Sequence, residues 1–331
     1  MAATLLTKVQ IGRETTAGTA VAADHVLRVP AAFLDDQREV EHVPEDVGYL
    51  SRVNRTNTKK YLGFVSLPFQ ASFEDMPYLL DMGVKAVASG AADGSGSGKI
   101  YAFAFPTTAA NSIASYTLEG TDGTQGYKMA YCFMPEFTLS GNGGNPIEAT
   151  FSVNGRNVEK LTTAASVALA TAEVINFGKG KIYMDAVSGT AGTTQLTNTW
   201  LDFNLSVKTG MTPDFTGDGE LHFSNVYNQG PEITLDVTIE HDSDAVTMFD
   251  SFQAETPKQI RMIWQGDALT TAGTTYTYKT LLIDLVAKVE KWGPIQTRDG
   301  NNVVPVTFRA AYDGTAAKFA TITVVNEVAS L

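Results

Sequence analysis

The sequence predicts a mainly β protein of two tandem antiparallel domains, each with one short helix. Three observations carry that expectation. Alternation of apolar and polar residues at period two dominates the chain, a short helix signal stands at the same point of each half, and the second half repeats the order of the first.

The strands come first. Leu67, Phe69, Ala71 and Phe73 alternate with Pro68, Gln70 and Ser72, and Ile147, Ala149, Phe151 and Val153 follow the same rule. In the second half Leu201, Phe203, Leu205 and Val207 alternate, as do Glu232 to Glu240 and Val304, Val306, Phe308 and Ala310. Period-two alternation puts one face in a core and the other in water, which belongs to antiparallel sheets. Tyr101, Phe103 and Phe105 also alternate, and without interleaved cations they read as core, not as a base-stacking platform.

Each half then carries one short helix. In Asp75 to Gly83, Asp75 suits an N-cap, Pro77 a first turn and Gly83 a left-handed terminus. In the second half Asp242 or Ser243 caps a segment with Val246, Phe249 and Asp250 at helical spacing.

The repeat shows in residues as well. Thr16-Ala17-Gly18 followed by Val26 to Val29 recurs, at one constant offset, as Thr190-Ala191-Gly192 followed by Trp200 to Phe203. Tyr127-Lys128 answers to Tyr278-Lys279, and Ala149 to Phe151 answers to Val306 to Phe308. So long a period exceeds the roughly 20–50 residues of a solenoid repeat and points to two fused domains. The boundary falls in the Thr/Ala-rich tract from Leu161 to Val174, dividing domain 1 (1–170) from domain 2 (171–331). A chain of 331 residues gives each half enough length to bury a core without metal or disulfide. The single cysteine, Cys132, reads as a small buried hydrophobe.

The halves differ in their loops. A long polar insertion, 35–61, mixes Asp35, Asp36, Glu39, Glu41, Glu45 and Asp46 with Arg52, Arg55, Lys59 and Lys60. Its basic end suits docking onto an acidic partner, such as a second copy of this chain at net charge −12. The corresponding stretch, Thr209 to Gln229, is shorter, glycine-rich and acidic. Ser89 to Gly98 reads as flexible low complexity, and its Gly94-x-Gly96-x-Gly98 lacks the strand-to-helix setting of a phosphate cradle.

Catalytic and metal signatures are missing. His25, His42, His222 and His241 show no metal-ligand spacing, and Asp214 to Glu220 has the oxygen-rich look of a calcium loop without the ligand alternation or closing glutamate of an EF-hand. There is no Gly-x-Ser-x-Gly elbow, His-Glu-x-x-His or P-loop. Acidic pairs such as Asp35-Asp36 and Glu45-Asp46 lie in a polar loop, where a solvated face explains them. The expectation is a non-enzyme with no cofactor and no metal. No stretch reaches the ~18–20 apolar residues of a membrane helix and the N-terminus lacks a signal-peptide pattern, so a soluble protein made in a cytoplasm is expected, with no membrane partner. The acidic balance argues against sequence-specific nucleic-acid binding.

The opening Val9 to Ala20 resembles the start of the tail tube proteins of long, non-contractile-tailed bacteriophages. There a first strand is followed by a Gly-x-Glu-x-x-x-Gly-Thr turn, here Gly12, Glu14, Gly18 and Thr19. Phe137 to Ser152 resembles that family's final hairpin. In the second half Thr190-Ala191-Gly192 is kept but the glutamate is lost.

The resemblance implies two tandem tail-tube-type β-sandwich domains that join their neighbours edge to edge into a large barrel. A fused pair implies a ring of three chains with six quasi-equivalent domains, stacked into a tube that conducts DNA without binding it specifically. Other tail proteins are then partners, the virion tail is the location, and assembly takes place in the host cytoplasm. The 35–61 insertion occupies the place of a loop that reaches the adjacent ring, so Glu39, Glu41, Glu45, Asp46, Arg52, Arg55, Lys59 and Lys60 are the stacking candidates. Gln70, Ser72 and Glu74, with Thr234, Asp236, Thr238 and Glu240, are candidates for the lumen wall, outside solvent being the other reading. The alternatives are a carbohydrate-binding or adhesin-type double β-sandwich or another virion component (decoration or baseplate). An uncharacterised hydrolase would need convergent titratable groups.

Overall fold

The computed structural model describes residues 7–30, 33–162 and 164–331, so the N-terminal reading of Met1 to Leu6, and Thr163 within the boundary tract, lie outside the described residues. Strands take up 51% of the chain. The first half runs through β1 (Lys8–Arg13), β2 (His25–Leu27), β3 (Asp35–Asp36), β4 (Glu39–Pro44), β5 (Val53–Lys60), β6 (Gly63–Gln70), α1 (Met76–Gly83), β7 (Ala91–Ala92) and β8 (Lys99–Ala104). It continues with β9 (Tyr116–Thr121), β10 (Gly126–Asn142), β11 (Glu148–Gly155) and β12 (Val158–Leu161). The second half runs through β13 (Gly180–Ala186), β14 (Gln195–Leu196), β15 (Trp200–Lys208), β16 (Met211–Asp214), β17 (Asn225–Asn228), β18 (Glu232–Glu240) and α2 (Ser243–Gln253). It ends with β19 (Lys258–Ala268), β20 (Tyr278–Trp292), β21 (Gln296–Arg298), β22 (Asn301–Ala310) and β23 (Ala320–Asn326).

One antiparallel sheet crosses the whole molecule in the order β3-β6-β11-β10-β15-β18-β22-β20. The alternation read from the sequence sets its two faces. Leu67, Phe69, Ala149, Phe151, Phe137, Leu139, Phe203, Leu205, Leu235, Val237, Val306 and Phe308 all point inward and are buried. Behind them lie two smaller sheets. Behind the first half the order is β2-β1-β9-β10-β12, and behind the second it is β14-β13-β19-β20-β23-β8-β7. All pairings are antiparallel and the sheets stay open, which gives layered sheets and no closed barrel.

β10 and β20 are the longest strands, and each serves two sheets, its first part in the back layer and its last part in the long sheet. β10 makes the passage through a bulge where Tyr131 takes φ 52°. The pairings β1–β2, β1–β9, β9–β10, β10–β12, β10–β11, β11–β6, β6–β3 and β4–β5 have counterparts in the second half. These are β13–β14, β13–β19, β19–β20, β20–β23, β20–β22, β22–β18, β18–β15 and β16–β17. By this pairing the counterpart of β2 is β14, so the residue match of Val26–Val29 to Trp200–Phe203 does not hold: β2 pairs with β1, whereas β15 lies between β10 and β18.

The halves share one continuous apolar core. β8 belongs to the first half in sequence yet extends the back sheet of the second through β23. The glycine-rich loop before it is docked, contrary to the flexible reading: the buried Asp93 accepts the N–H groups of Thr275 (2.8 Å) and Tyr276 (2.7 Å).

The helices form as expected, with different ends. Asp242 caps α2 by accepting the N–H groups of Asp244 and Ala245. Asp75 does not cap α1; its carboxylate turns inward to His25 (2.8 Å), Arg28 and Ser72. Gly83 stays inside α1, with Val84 as C-cap, and Met134 packs where a Cβ at position 83 would stand. Cys132 is fully buried, and burial pushes its thiol up.

Candidate functional site

The outer face of the long sheet is polar from end to end, and the registers align its side chains in cross-strand rows. One row reads Ser66, Ser152, Glu136, Lys208 and Glu232; the next reads Pro68, Thr150, Thr138, Ser206, Thr234, Arg309 and Lys288. A third reads Gln70, Glu148, Ser140, Asn204, Asp236, Thr307 and Lys291. Hydroxyls and amides predominate.

Two of the four cations in these rows, Lys208 and Arg309, are neutralised locally. Glu232 stands between Lys208 (3.4 Å) and Arg309, and the hydrogen bonds and charge of Arg309 and then Lys208 hold its carboxyl below the usual range. Arg309 also donates to Thr234 Oγ1 at 3.2 Å, and Thr307 donates to Asp236 at 2.6 Å. At one end Arg298 pairs with Asp202 at 2.6 Å. The middle of the face thus offers hydrogen bonds and paired charges, while Lys288 and Lys291 at its β20 end form no ion pair among the described residues.

Of the residues expected on this wall, Gln70, Thr234, Asp236, Thr238 and Glu240 are at least partly open to solvent. Ser72 and Glu74 are not: they are 1% and 6% exposed. β6 ends at Gln70, and the chain then turns through the layer into α1, carrying both side chains inside. Ser72 donates to Asp75 (2.8 Å), while Glu74 holds Lys279 of the second half at 2.6 Å and accepts the N–H of Glu173. Glu74 thus joins the halves, and neither side chain lies on the outer face.

The 35–61 insertion folds into a projecting hairpin, β4–β5, with a tip over 45–52. Its charges pair across the strands: Arg55 with Glu45 (2.6 Å), Lys59 with Glu41 (3.2 Å) and Glu39 (4.0 Å), and Lys60 with Glu39 (3.1 Å). The basic end is thereby largely offset within the hairpin, and Asp46 and Arg52 make no ion pair among the described residues. The tip instead carries Val47, Tyr49 and Leu50, with Tyr49 74% exposed and Leu50 fully exposed. Sequence reading passed over these apolar residues because they are scattered among charges. The shorter β16–β17 hairpin rises from the same end of the sheet, with Phe215, Leu221 and Tyr227 exposed. The two hairpins touch where Tyr61 N–H donates to the Leu221 carbonyl and Lys60 lies 5.6 Å from the Phe215 ring.

The opening turn is a structural device. Glu14 is buried and accepts hydrogen bonds from Gly18 N–H (2.8 Å), Thr117 (2.9 Å) and the N–H of Tyr131 at the β10 bulge (2.9 Å). In the second half Asp185, one residue before the end of β13, takes that place and accepts the N–H groups of Gly192, Thr193 and Thr194. The glutamate that the sequence lost is replaced by this aspartate.

Among the described residues no group of three His, Cys, Asp or Glu side chains could hold a metal, and no helix is long and apolar enough to cross a membrane. The Asp214 to Glu220 loop is held by Asp218, which accepts from Ser224 Oγ and from the N–H of Glu220. In comparison with known proteins, a family model described as Phage tail tube protein matches residues 4–316, nearly the whole chain. No curated protein matches the chain.

Proposed function

This chain belongs to the phage tail tube protein family, and from that premise we propose that it is a ring-forming subunit in which one chain does the work of two. Family membership makes it a structural component of the virion tail, non-enzymatic in kind. The finer reading is that three chains close a ring of six quasi-equivalent domains, 1–170 and 171–331 of each, and that rings stack into a tube through which DNA passes.

The observation that carries this is the recurrence of the pairing scheme in both halves, together with the single sheet that runs from one half into the other and stops at unpaired edges. Open sheet edges invite further pairing. Head-to-tail joining of such edges closes into a ring when the rotation permits. The polar face, with Lys208 and Arg309 in its middle held by Glu232, suits the wall of a conduit, since each free cation facing phosphate would strengthen retention of DNA. The projecting hairpins suit contact with the adjacent ring and with other tail proteins, and assembly takes place in the host cytoplasm.

Electron microscopy of the purified chain at high concentration tests the reading. Tubes or threefold rings with six similar lobes around a hole are expected. A chain that stays monomeric and binds glycans would favour the carbohydrate-binding double sandwich instead.

A further inference from the structure

The long sheet holds one junction between its halves and two ends that lack a neighbour among the described residues, and the junction specifies how those ends meet. We propose that the edge of β20 at Lys288–Trp292 receives residues 33–36 of a second copy as an added antiparallel strand, with Lys288 facing Asp35. The proposal rests on the ring reading and names its interface.

The register follows from counterparts within the chain. Across the first half Leu67 pairs with Phe151, and Phe151 with Phe137. Across the second Leu235 pairs with Phe308, and Phe308 with Val289. Val289 therefore holds the position of Phe137, and Lys288 that of Glu136. On the other side Lys208 pairs with Glu232, three residues before Leu235, while Asp35 pairs with Phe64, three residues before Leu67. Asp35 therefore holds the position of Lys208, and Leu34 that of Val207. Within the chain Glu136 faces Lys208 and Phe137 faces Val207. Between chains the same register puts Lys288 opposite Asp35 and Val289 opposite Leu34. The charges are exchanged, and each pair stays complementary.

The free ends have the properties such a join needs. Asp35 and Lys288 are exposed, neither forms an ion pair among the described residues, and Leu34 and Val289 are half-buried. β15 has a partner on each side and runs nine residues; β3 has a partner on one side and runs two. Phe33, next to it, is 58% exposed. A second ladder along β20 supplies the neighbour that β15 already has, and it extends β3 toward the length of its counterpart.

Cross-linking and charge exchange test this. Facing residues of an antiparallel pair fall within disulfide reach, at about 4.5–5.5 Å between Cα atoms. Lys288→Cys chains mixed with Asp35→Cys chains are expected to give a disulfide-linked dimer on oxidation; the buried Cys132 contributes little background. Lys288→Asp and Asp35→Lys should each cut ring yield at least tenfold, and the two changes placed in one chain should restore it. Wild-type rings without the cross-link, with both single variants assembling normally, overturn the junction and leave the ring reading intact. A wild-type chain that forms no rings bears against the ring reading. The mixed cysteine chains then judge the junction alone, and absence of the dimer overturns it.

Discussion

The carboxylate of Asp185 accepts the backbone N–H of Gly192 at 2.8 Å, as Glu14 accepts that of Gly18 at 2.8 Å. Burial alone would raise the Asp185 carboxyl, but the N–H groups of Thr193, Thr194 and Gly192 outweigh it and hold it below the usual range. Gly192 sits at φ 86°, where an L side chain is strained. Asp185→Ala leaves three turn donors without this acceptor and should cost about 2 kcal/mol in denaturant unfolding, while Asp185→Asn keeps an acceptor and should lose less than half of that. Equal midpoints for the wild type and Asp185→Ala would remove the turn from the list of what holds the second half.

Asp75 supplies a test by pH. Burial pushes its carboxyl up, yet the hydrogen bonds of His25 and Ser72 and the charges of His25 and Arg28 prevail and hold it below its ordinary value of 3.8. The unfolded chain then binds this proton more readily than the native one, so stability rises with pH through that window. The contribution is complete above about pH 4 and is lost as pH falls through the native value. Asp75→Asn should destabilise the protein by about 3 kcal/mol at pH 7, because it strips a buried partner from Arg28. The gap between variant and wild type should narrow on acidification. A gap independent of pH down to the acid transition would contradict the assignment.

What the sequence revealed and what it hid divide by the range of the interactions. Alternation at Leu67–Phe73, Ile147–Val153 and Glu232–Glu240 placed the inner face of the sheet correctly, since period two is a property of neighbouring residues. The order of strand, helix and hairpin was legible for the same reason. The join of β10 to β15 was not, because register between distant strands leaves no local pattern. Asp93 looked like part of a loose linker because its partner Thr275 lies 182 residues away. Asp75 misled in another manner: an aspartate before a helix suits a cap and a buried ion pair equally, and only His25 and Arg28 decide between them. Glu74 continued the alternation on paper, but the strand had ended four residues earlier at Gln70.

The hairpin separates two accounts of ring stacking. If the exposed tip makes the contact, Tyr49→Ser with Leu50→Ser should leave folding stability within about 0.5 kcal/mol, since neither side chain is buried in the single chain. Those variants should form rings that fail to lengthen into tubes. Lys59→Ala removes exposed pairs worth at most about 1 kcal/mol each and should leave tube length unchanged. Tube lengths measured by microscopy decide, and the reverse pattern would return the contact to the charges.

Glu232 tests which way the polar face points. Its carboxylate is the partner of both Lys208 and Arg309, so Glu232→Ala frees two cations in the middle of that face without touching the inward row of Ile233 and Leu235. Each cation that gains a phosphate contact releases counterions, so DNA bound to assembled variant tubes should dissociate with a salt slope steeper by about 2 than for wild-type tubes. The location of the bound DNA then distinguishes the faces. Inside the tube it is shielded from nuclease, and virions carrying the variant should eject more slowly at low salt than at high salt. On the outer wall the DNA is digested, and ejection keeps its normal rate. Nuclease-sensitive binding would turn the polar face outward and transfer the lumen to the layer formed by β1, β9 and their counterparts.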